Sequence, residues 1–364
     1  MFSSSSKLFI PGLLFTYTVG TFLPWRQLSA VCSVVPIIVV ICLSFIPRSP
    51  SFLLSIGMKE DAKSALLFFI GRNSNVTKEL IEIESSVDNR EQIDGLNIYG
   101  ILKNKTYLKP LCISLMLMLL QQFSGIKVIS SYIVQIFQNA GSKFDANICS
   151  IVVGVIQVTG TSISVLVVDK FGRRRLLILS EMFISIAFCM LGTFFYIQES
   201  HSPCPAPDTC QDQFVTTETV DNLAWLPLAS IVTFAVAYSM GMGPLPWVLN
   251  AELFSKEAKA PSSSLCASFN WLCSFMVVKF SPTLETLIGA SGSYLTFAAL
   301  AACGTLLIVI TVPETKGKTE EEIQQGFNKM ISLDTEAGLS KDHDKKDLCA
   351  DLIKPLIEEK QIEI

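Results

Sequence analysis

Charge is scarce in this chain. Asp, Glu, Lys and Arg make up only 16% of its 364 residues, whereas soluble domains carry roughly 25%, so there are too few charges to clothe a water-facing surface of this size. Histidine is scarcer still: the two present, His201 and His343, fall in a loop and in the tail, and no paired metal-ligand spacing or nucleophile motif accompanies them. These absences argue against an enzyme, with no catalytic residue to name, and against a bound metal or other cofactor. The basic residues sit in short loops without a patterned stripe, which argues against nucleic acid as a partner. Residues 1–6 contain no Lys or Arg and no small-residue cleavage site follows, so no cleavable signal peptide is expected.

What is present is apolar. Half of the residues are hydrophobic, 24 of them Phe. Eight stretches approach the 20 or so residues that cross a bilayer: 8–23, 28–46, 111–137, 148–168, 176–197, 223–249, 262–280 and 294–312. They predict an all-α membrane protein with the lipid bilayer as its surroundings, and an even number of crossings places both ends on one side. The first stretch is short and is opened by Pro11-Gly12. Lys170, Arg173, Arg174 and Arg175 follow the fourth stretch, Lys256 and Lys259 follow the sixth, and residues 55–110 hold eight basic residues. Residues 198–222 hold five acids and no Lys or Arg. The positive-inside rule therefore makes the basic loops, and both termini, cytoplasmic.

That orientation settles smaller points. The sequons at Asn75 and Asn104 face the cytoplasm and are expected to stay unmodified. Eight of the eleven cysteines lie in apolar spans as small hydrophobes. Cys204 and Cys210 share a non-cytoplasmic loop stiffened by Pro203, Pro205 and Pro207, where either a disulfide or two free thiols is consistent with the sequence. Residues 55–110 contain apolar residues at helical spacing beside charges, over 59–69 and 78–87, which read as short amphipathic helices under the membrane or as plain linker helices. The tail after Lys318 is charged and poor in aromatics, with one helix expected over 320–330.

The most informative string is Gly241-Met242-Gly243-Pro244-Leu245-Pro246-Trp247, inside an apolar run ending at Glu252. Proline lacks an N–H and clashes with the preceding turn, so Pro244, Pro246 and Gly243 predict a kinked or partly unwound helix. Irregular backbone at membrane depth is tolerated where it lines a cavity or is buried in protein, which points to a solute pathway.

Six strings then occur in order at span boundaries: Gln121-Gln122-Phe123-Ser124-Gly125-Ile126, Asp169-Lys170-Phe171-Gly172-Arg173-Arg174, Gly243-Pro244-Leu245-Pro246-Trp247, Ala251-Glu252-Leu253-Phe254-Ser255, Phe269-Asn270-Trp271 and Pro313-Glu314-Thr315-Lys316-Gly317. Together they closely resemble the sugar porters of the major facilitator superfamily, the facilitative glucose transporters and in particular their insect trehalose-type members, over about residues 8–327. The resemblance implies two six-helix halves with a sugar bound between them. By that pattern the chain begins at the fifth helix, so it corresponds to helices 5–12 of an N-terminally truncated member: an isoform, a fragment or an incomplete gene model. Residues 1–47 would hold the last two helices of the first half, 48–110 the cytoplasmic linker, 111–312 the complete second half and 313–364 the cytoplasmic tail. The implied function is facilitative transport of a hexose or trehalose by alternating access at the plasma membrane. The alternative is a non-transporting sugar sensor or dominant-negative partner.

A sugar offers many hydroxyls and no charge, so its receptor needs neutral donors and acceptors among apolar walls. The resemblance makes Gln121 and Gln122 principal sugar ligands, with Gln157, Asn270 and Trp247 at matching positions and Tyr17 where the fifth helix faces the sugar. Interhelical hydrogen bonding is the plainer role for these amides, and interfacial anchoring the plainer one for Trp247. Trp271 is expected to pack between helices. A second, ionic cluster combines Asp169, Arg173, Arg174, Glu252 and Glu314, with Gly172 allowing the tight turn. In the family such a network closes the cytoplasmic side; positive-inside topology alone is the plainer account of these charges.

Departures from the family pattern are informative. Pro47-Arg48-Ser49-Pro50-Ser51 lacks the acid and the following base usual there, and Ser239 replaces a frequent carboxylate, so a weaker latch is expected. Lys127 stands where the family usually has a neutral Asn that contacts sugar. A lysine at this depth costs on the order of 3 kcal/mol unless it reaches water or a partner, so it is expected to face the cavity. No membrane acid with an evident proton-relay role is read from the sequence, which favours a uniporter.

Overall fold

The computed structural model describes residues 18–71, 105–139, 146–200, 223–255 and 258–318, with scattered positions in 12–16, 76–85, 101–103 and 322–326. Helices account for nearly all of the described residues. In chain order they are α1 (Trp25–Ser44), α2 (Pro50–Ser55), α3 (Lys59–Ile70), α4 (Lys105–Phe123), α5 (Ile126–Asn139), α6 (Ala146–Phe171), α7 (Arg173–Ser200), α8 (Leu226–Met240), α9 (Leu245–Glu252) and α10 (Lys259–Thr311). Among the described residues, six continuous helical stretches are long and apolar enough to cross a membrane.

Four of the predicted spans differ in shape from their apolar runs. The run 111–137 is broken at Gly125, whose φ is +79°. A Cβ at Gly125 would lie 2.5 Å from Cζ of Phe188, so both the left-handed backbone and the close approach of that ring call for glycine. The run 223–249 breaks between α8 and α9, as its prolines and glycines predict. The runs 262–280 and 294–312 form the single stretch α10, whose 53 residues would reach about 80 Å if straight, far beyond a hydrocarbon core of about 30 Å. Gly289, at φ 76° and ψ 170°, turns the chain back, so α10 supplies two crossings.

Glu199, at the far end of α7, closes that turn. Its carboxylate accepts hydrogen bonds from the N–H groups of Ala290 and Ser291 (3.0 and 3.2 Å) and from Ser291 Oγ (2.5 Å). It thereby caps the helix that starts after Gly289, where the unpaired N–H groups favour an anion.

Helix α7 is the hub, packed against α10, α8, α6 and α9. Its 28 residues are long enough to cross the bilayer with a turn to spare at each end. Phe188 at its centre meets Phe234 edge-on (5.3 Å between centroids) and stacks with Phe297 (5.6 Å) and Tyr294 (6.4 Å). This aromatic core ties α7 to α8 and to the second half of α10. Ile323, in the described part of the tail, is buried in the same cluster as Leu253, Ile308 and Val312, so the start of the tail docks on the bundle.

By contrast, α1 buries none of its residues. The short helices α2 and α3 pack on each other through Leu53, Leu54, Ala62 and Ala65, with Leu80 and Ile83 against them, and Lys59 pairs with Glu84. The residues on which the sequence placed Tyr17, Cys204 and Cys210 lie outside the described set, as does the side chain of Asp169.

Candidate functional site

The break between α8 and α9 organises the site. Pro244 and Pro246 have no N–H, so the carbonyls four residues earlier, on Met240 and Met242, lose their helical donors. Other helices supply replacements. Ser164 Oγ on α6 donates to Met240 O at 2.8 Å, and Gln121 Nε2 on α4 donates to Met242 O at 3.0 Å and to Gly243 O at 2.8 Å. The donors at the break are settled in the same way: the Gly243 N–H reaches Tyr238 O at 2.8 Å, and the Met242 N–H goes to Ser180 Oγ at 2.9 Å. That serine's own hydroxyl donates to Ala237 O at 2.8 Å. In hydrocarbon each unsatisfied backbone group costs several kcal/mol, so Gln121, Ser164 and Ser180 make the break tolerable. Gly241 is needed for the approach of α7: a Cβ there would fall 2.3 Å from Cβ of Ser180 and 2.8 Å from Leu176 O.

Around this break the amides form a net. Gln121 Oε1 accepts from Asn270 Nδ2 (2.9 Å), which also reaches Met118 O (3.2 Å), and Asn270 Oδ1 accepts from Gln122 Nε2 (2.9 Å). All three side chains are buried. The carbonyl oxygen of Gln122 is buried without a partner, so the net has one acceptor to spare. Gln157 is buried on α6 and is not part of this net. Trp247 is partly buried on α9 and packs with Leu111, Met118, Phe254 and Cys266, beside the Met118 whose carbonyl Asn270 uses. Ser239 is buried and donates to its own helix at Ala235 O (2.6 Å), where a Cβ on Gly160 would come 2.8 Å from its Cβ.

Lys127 and Trp271 differ from expectation in their relation. Trp271 is 59% exposed rather than packed between helices. At about 100° per residue, the inward direction taken by Asn270 turns its neighbour outward. The Lys127 Nζ lies 5.2 Å from the centre of the Trp271 ring, a cation–π contact worth about 0.5–1 kcal/mol at an exposed site. That offsets only part of the roughly 3 kcal/mol that a lysine at membrane depth costs.

At the basic end of the bundle Arg173 brings Glu252 and Glu314 together. Arg173 Nη2 pairs with Glu252 Oε1 at 3.2 Å. Glu314 accepts from the backbone N–H of Arg173 (3.0 Å) and of Lys316 (3.1 Å). Gly172, at φ +89°, lies under that carboxylate, where a Cβ would stand 2.8 Å from Glu314 Oε2. Arg174 turns to a backbone carbonyl, Val309 O, at 2.5 Å. Two residues that the sequence did not single out complete the cluster: Thr315 Oγ1 donates to Glu252 Oε2 (2.8 Å) and Lys316 Nζ to Lys170 O (2.7 Å).

One buried acid was also missed. Glu181, the only charged residue between 176 and 197, is 1% exposed and its Oε2 has no partner. Its Oε1 lies where a Cβ on Gly304 would come within 3.0 Å. A lone acid inside an otherwise apolar span was the available signal.

Residues 9–327 match the family model described as Sugar (and other) transporter. The chain belongs to this sugar transporter family. It is 34% identical over 314 residues to the Facilitated trehalose transporter Tret1-2 homolog of Drosophila simulans, covering 86% of this chain and 61% of that protein. To the Facilitated trehalose transporter Tret1 of Culex quinquefasciatus it is 34% identical, covering 86% of this chain and 58% of that protein. Among solved structures, it is 26% identical to the major facilitator superfamily proton:xylose symporter XylE bound to 6-bromo-6-deoxy-D-glucose, with a TM-score of 0.62 over 90% of this chain and 66% of that one. The inward open conformation of the xylose transporter XylE from E. coli gives 26% and 0.64 over 86% and 62%. The chain thus spans about three fifths of the length of these curated relatives. It is an all-α, multi-pass membrane protein with the major facilitator superfamily fold.

Proposed function

We propose that this chain binds a neutral sugar, a hexose or trehalose, at the Gln121–Gln122–Asn270 net and takes part in its facilitated movement across the membrane by alternating access. One observation carries this reading: three buried neutral amides converge on a broken helix, with the carbonyl of Gln122 unsatisfied. Each amide both donates and accepts, so a polyhydroxylated guest can exchange hydrogen bonds with the net without any charge being moved into hydrocarbon. Trp247, beside the break, supplies an apolar wall, and Gln157 and Tyr17 complete the proposed lining. The Arg173–Glu252 pair and the bonds of Glu314 form the inner gate, with Asp169 and Arg174 as further members, because an ion pair that meets water is readily broken and remade.

In this proposal residues 111–312 form the complete second half, 48–110 a cytoplasmic linker and 313–364 a cytoplasmic tail. The protein resides in the plasma membrane with the basic helix ends and both termini inside. The uncharged net fits a carrier driven by the sugar's own gradient.

The test uses the purified full chain in liposomes, with uptake of labelled glucose and trehalose measured beside equilibrium binding in detergent. Saturable binding that Gln122→Ala weakens at least about tenfold supports the site, and saturable uptake supports transport. Binding without uptake makes the chain a sugar-responsive protein instead. The absence of both, with no change on Gln122→Ala, overturns the proposal.

A further inference from the structure

Lys127 is the only charged side chain between Lys109 and Asn139, near the middle of a long apolar stretch, and it begins α5 directly after the break at Gly125. Among the described residues no carboxylate pairs with it; its recorded contact is the face of Trp271 at 5.2 Å. An aromatic face attracts a cation but supplies no counter-charge. The Trp271 ring is itself more than half open, and the residue before it, Asn270, holds both Gln121 and Gln122. A cation and an open aromatic face are therefore in contact, and the adjacent residue along the chain, Asn270, carries the buried amide net with its spare acceptor.

We infer that the site is matched to a sugar carrying one carboxylate, a uronic acid or similar aldose acid, whose anionic group meets Lys127 while its hydroxyls engage the amide net beside Trp271. This inference rests on the proposed sugar site and goes beyond its neutral-sugar reading by adding a preference for an anionic sugar. A neutral sugar leaves the lysine without a counter-charge at membrane depth, whereas a carboxylate forms a charge-assisted hydrogen bond with it and relieves that cost. Trp271 offers a flat apolar face for the carbon side of the ring, as aromatic side chains do in polar-ligand sites. The single cation selects a carboxylate over a phosphate ester, which carries a charge nearer −2 at neutral pH and would need a second positive group.

The purified full chain in detergent provides the measurement, through quenching of tryptophan fluorescence by glucuronate, glucose and acetate. Glucuronate is expected to bind at least about tenfold more tightly than glucose, with acetate at least a hundredfold weaker than glucuronate. Lys127→Asn is expected to abolish the preference while keeping or improving glucose binding, and Lys127→Arg to retain it. Trp271→Phe removes the reporting indole and keeps an aromatic face, so competition against labelled glucuronate with this variant shows that the affinity persists when the signal changes. Equal affinity for the two sugars in the unaltered chain, unchanged by Lys127→Asn, overturns the carboxylate inference and leaves the neutral-sugar proposal standing. Acetate binding as tightly as glucuronate also overturns it, since the site would then read a bare anion. Binding of no sugar at all overturns both.

Discussion

The two polar clusters of the helix bundle solve opposite problems with opposite chemistry. At membrane depth Gln121, Gln122, Asn270, Ser164 and Ser180 are neutral, and their bonds satisfy either the backbone groups freed at the break or one another. At the basic end Arg173, Glu252, Glu314 and Lys316 are charged and partly open. The contrast follows the dielectric: burying an uncompensated charge is costly and burying a bonded amide is not, whereas a half-exposed ion pair is held by little and released by little. The membrane-depth cluster fixes shape, and in the proposed cycle the basic one opens.

The comparison breaks most directly at Gly241. Gly241→Val would drive a branched side chain into Ser180 and the Leu176 carbonyl, where no flexible group can give way. Loss of folded protein is expected, read as collapse of the monodisperse peak in detergent gel filtration.

Next in size, the isosteric change Gln121→Glu puts a carboxylate beside the Met242 and Gly243 carbonyls that now receive its N–H groups. It should destabilise by about 2–3 kcal/mol, the range for leaving buried groups unpaired. The change Glu252→Gln at the basic end should cost under about 1 kcal/mol. Melting temperatures in one detergent rank the two, and equal shifts would erase the proposed distinction.

Salt sharpens the contrast at smaller scale. Arg173→Ala should lower stability by at most about 1 kcal/mol at low ionic strength, and the difference from the unaltered protein should shrink as salt screens the pair. Ser164→Ala, which orphans the Met240 carbonyl, should cost about 1 kcal/mol at every salt concentration. Lys316→Ala, which removes one exposed bond to Lys170 O, should change melting by no more than a few tenths of a kcal/mol.

These features were unequally visible in the amino-acid order. The break at 241–246 was legible because proline's missing N–H is a property of the residue itself. Its repair was not: Ser164 and Ser180 sit in apolar runs like many other membrane serines, and only tertiary packing aligns them with Met240 and Met242. The interruption at Gly125 was hidden for the same reason, since it depends on Phe188 from a helix more than sixty residues away. The sequence offered six ordered strings to mark the Gln121, Gly172, Arg173 and Glu252 neighbourhoods, and the structure brings those residues to two places. It did not offer the outward rotation of Trp271, the partner of Arg174 or the burial of Glu181, because each depends on which face of a helix is covered, and a uniformly apolar span carries little periodicity to tell the faces apart.

The Glu199 clasp has a mechanical corollary. Three hydrogen bonds rivet the far tip of α7 to the elbow at Gly289, so the lever arms that radiate from it share one fulcrum. The bonds from Ser185 to Ala298 O at mid-length and from Arg174 to Val309 O at the opposite tips pin the same two shafts again, so the pair is joined at both ends and is built to shift as one piece.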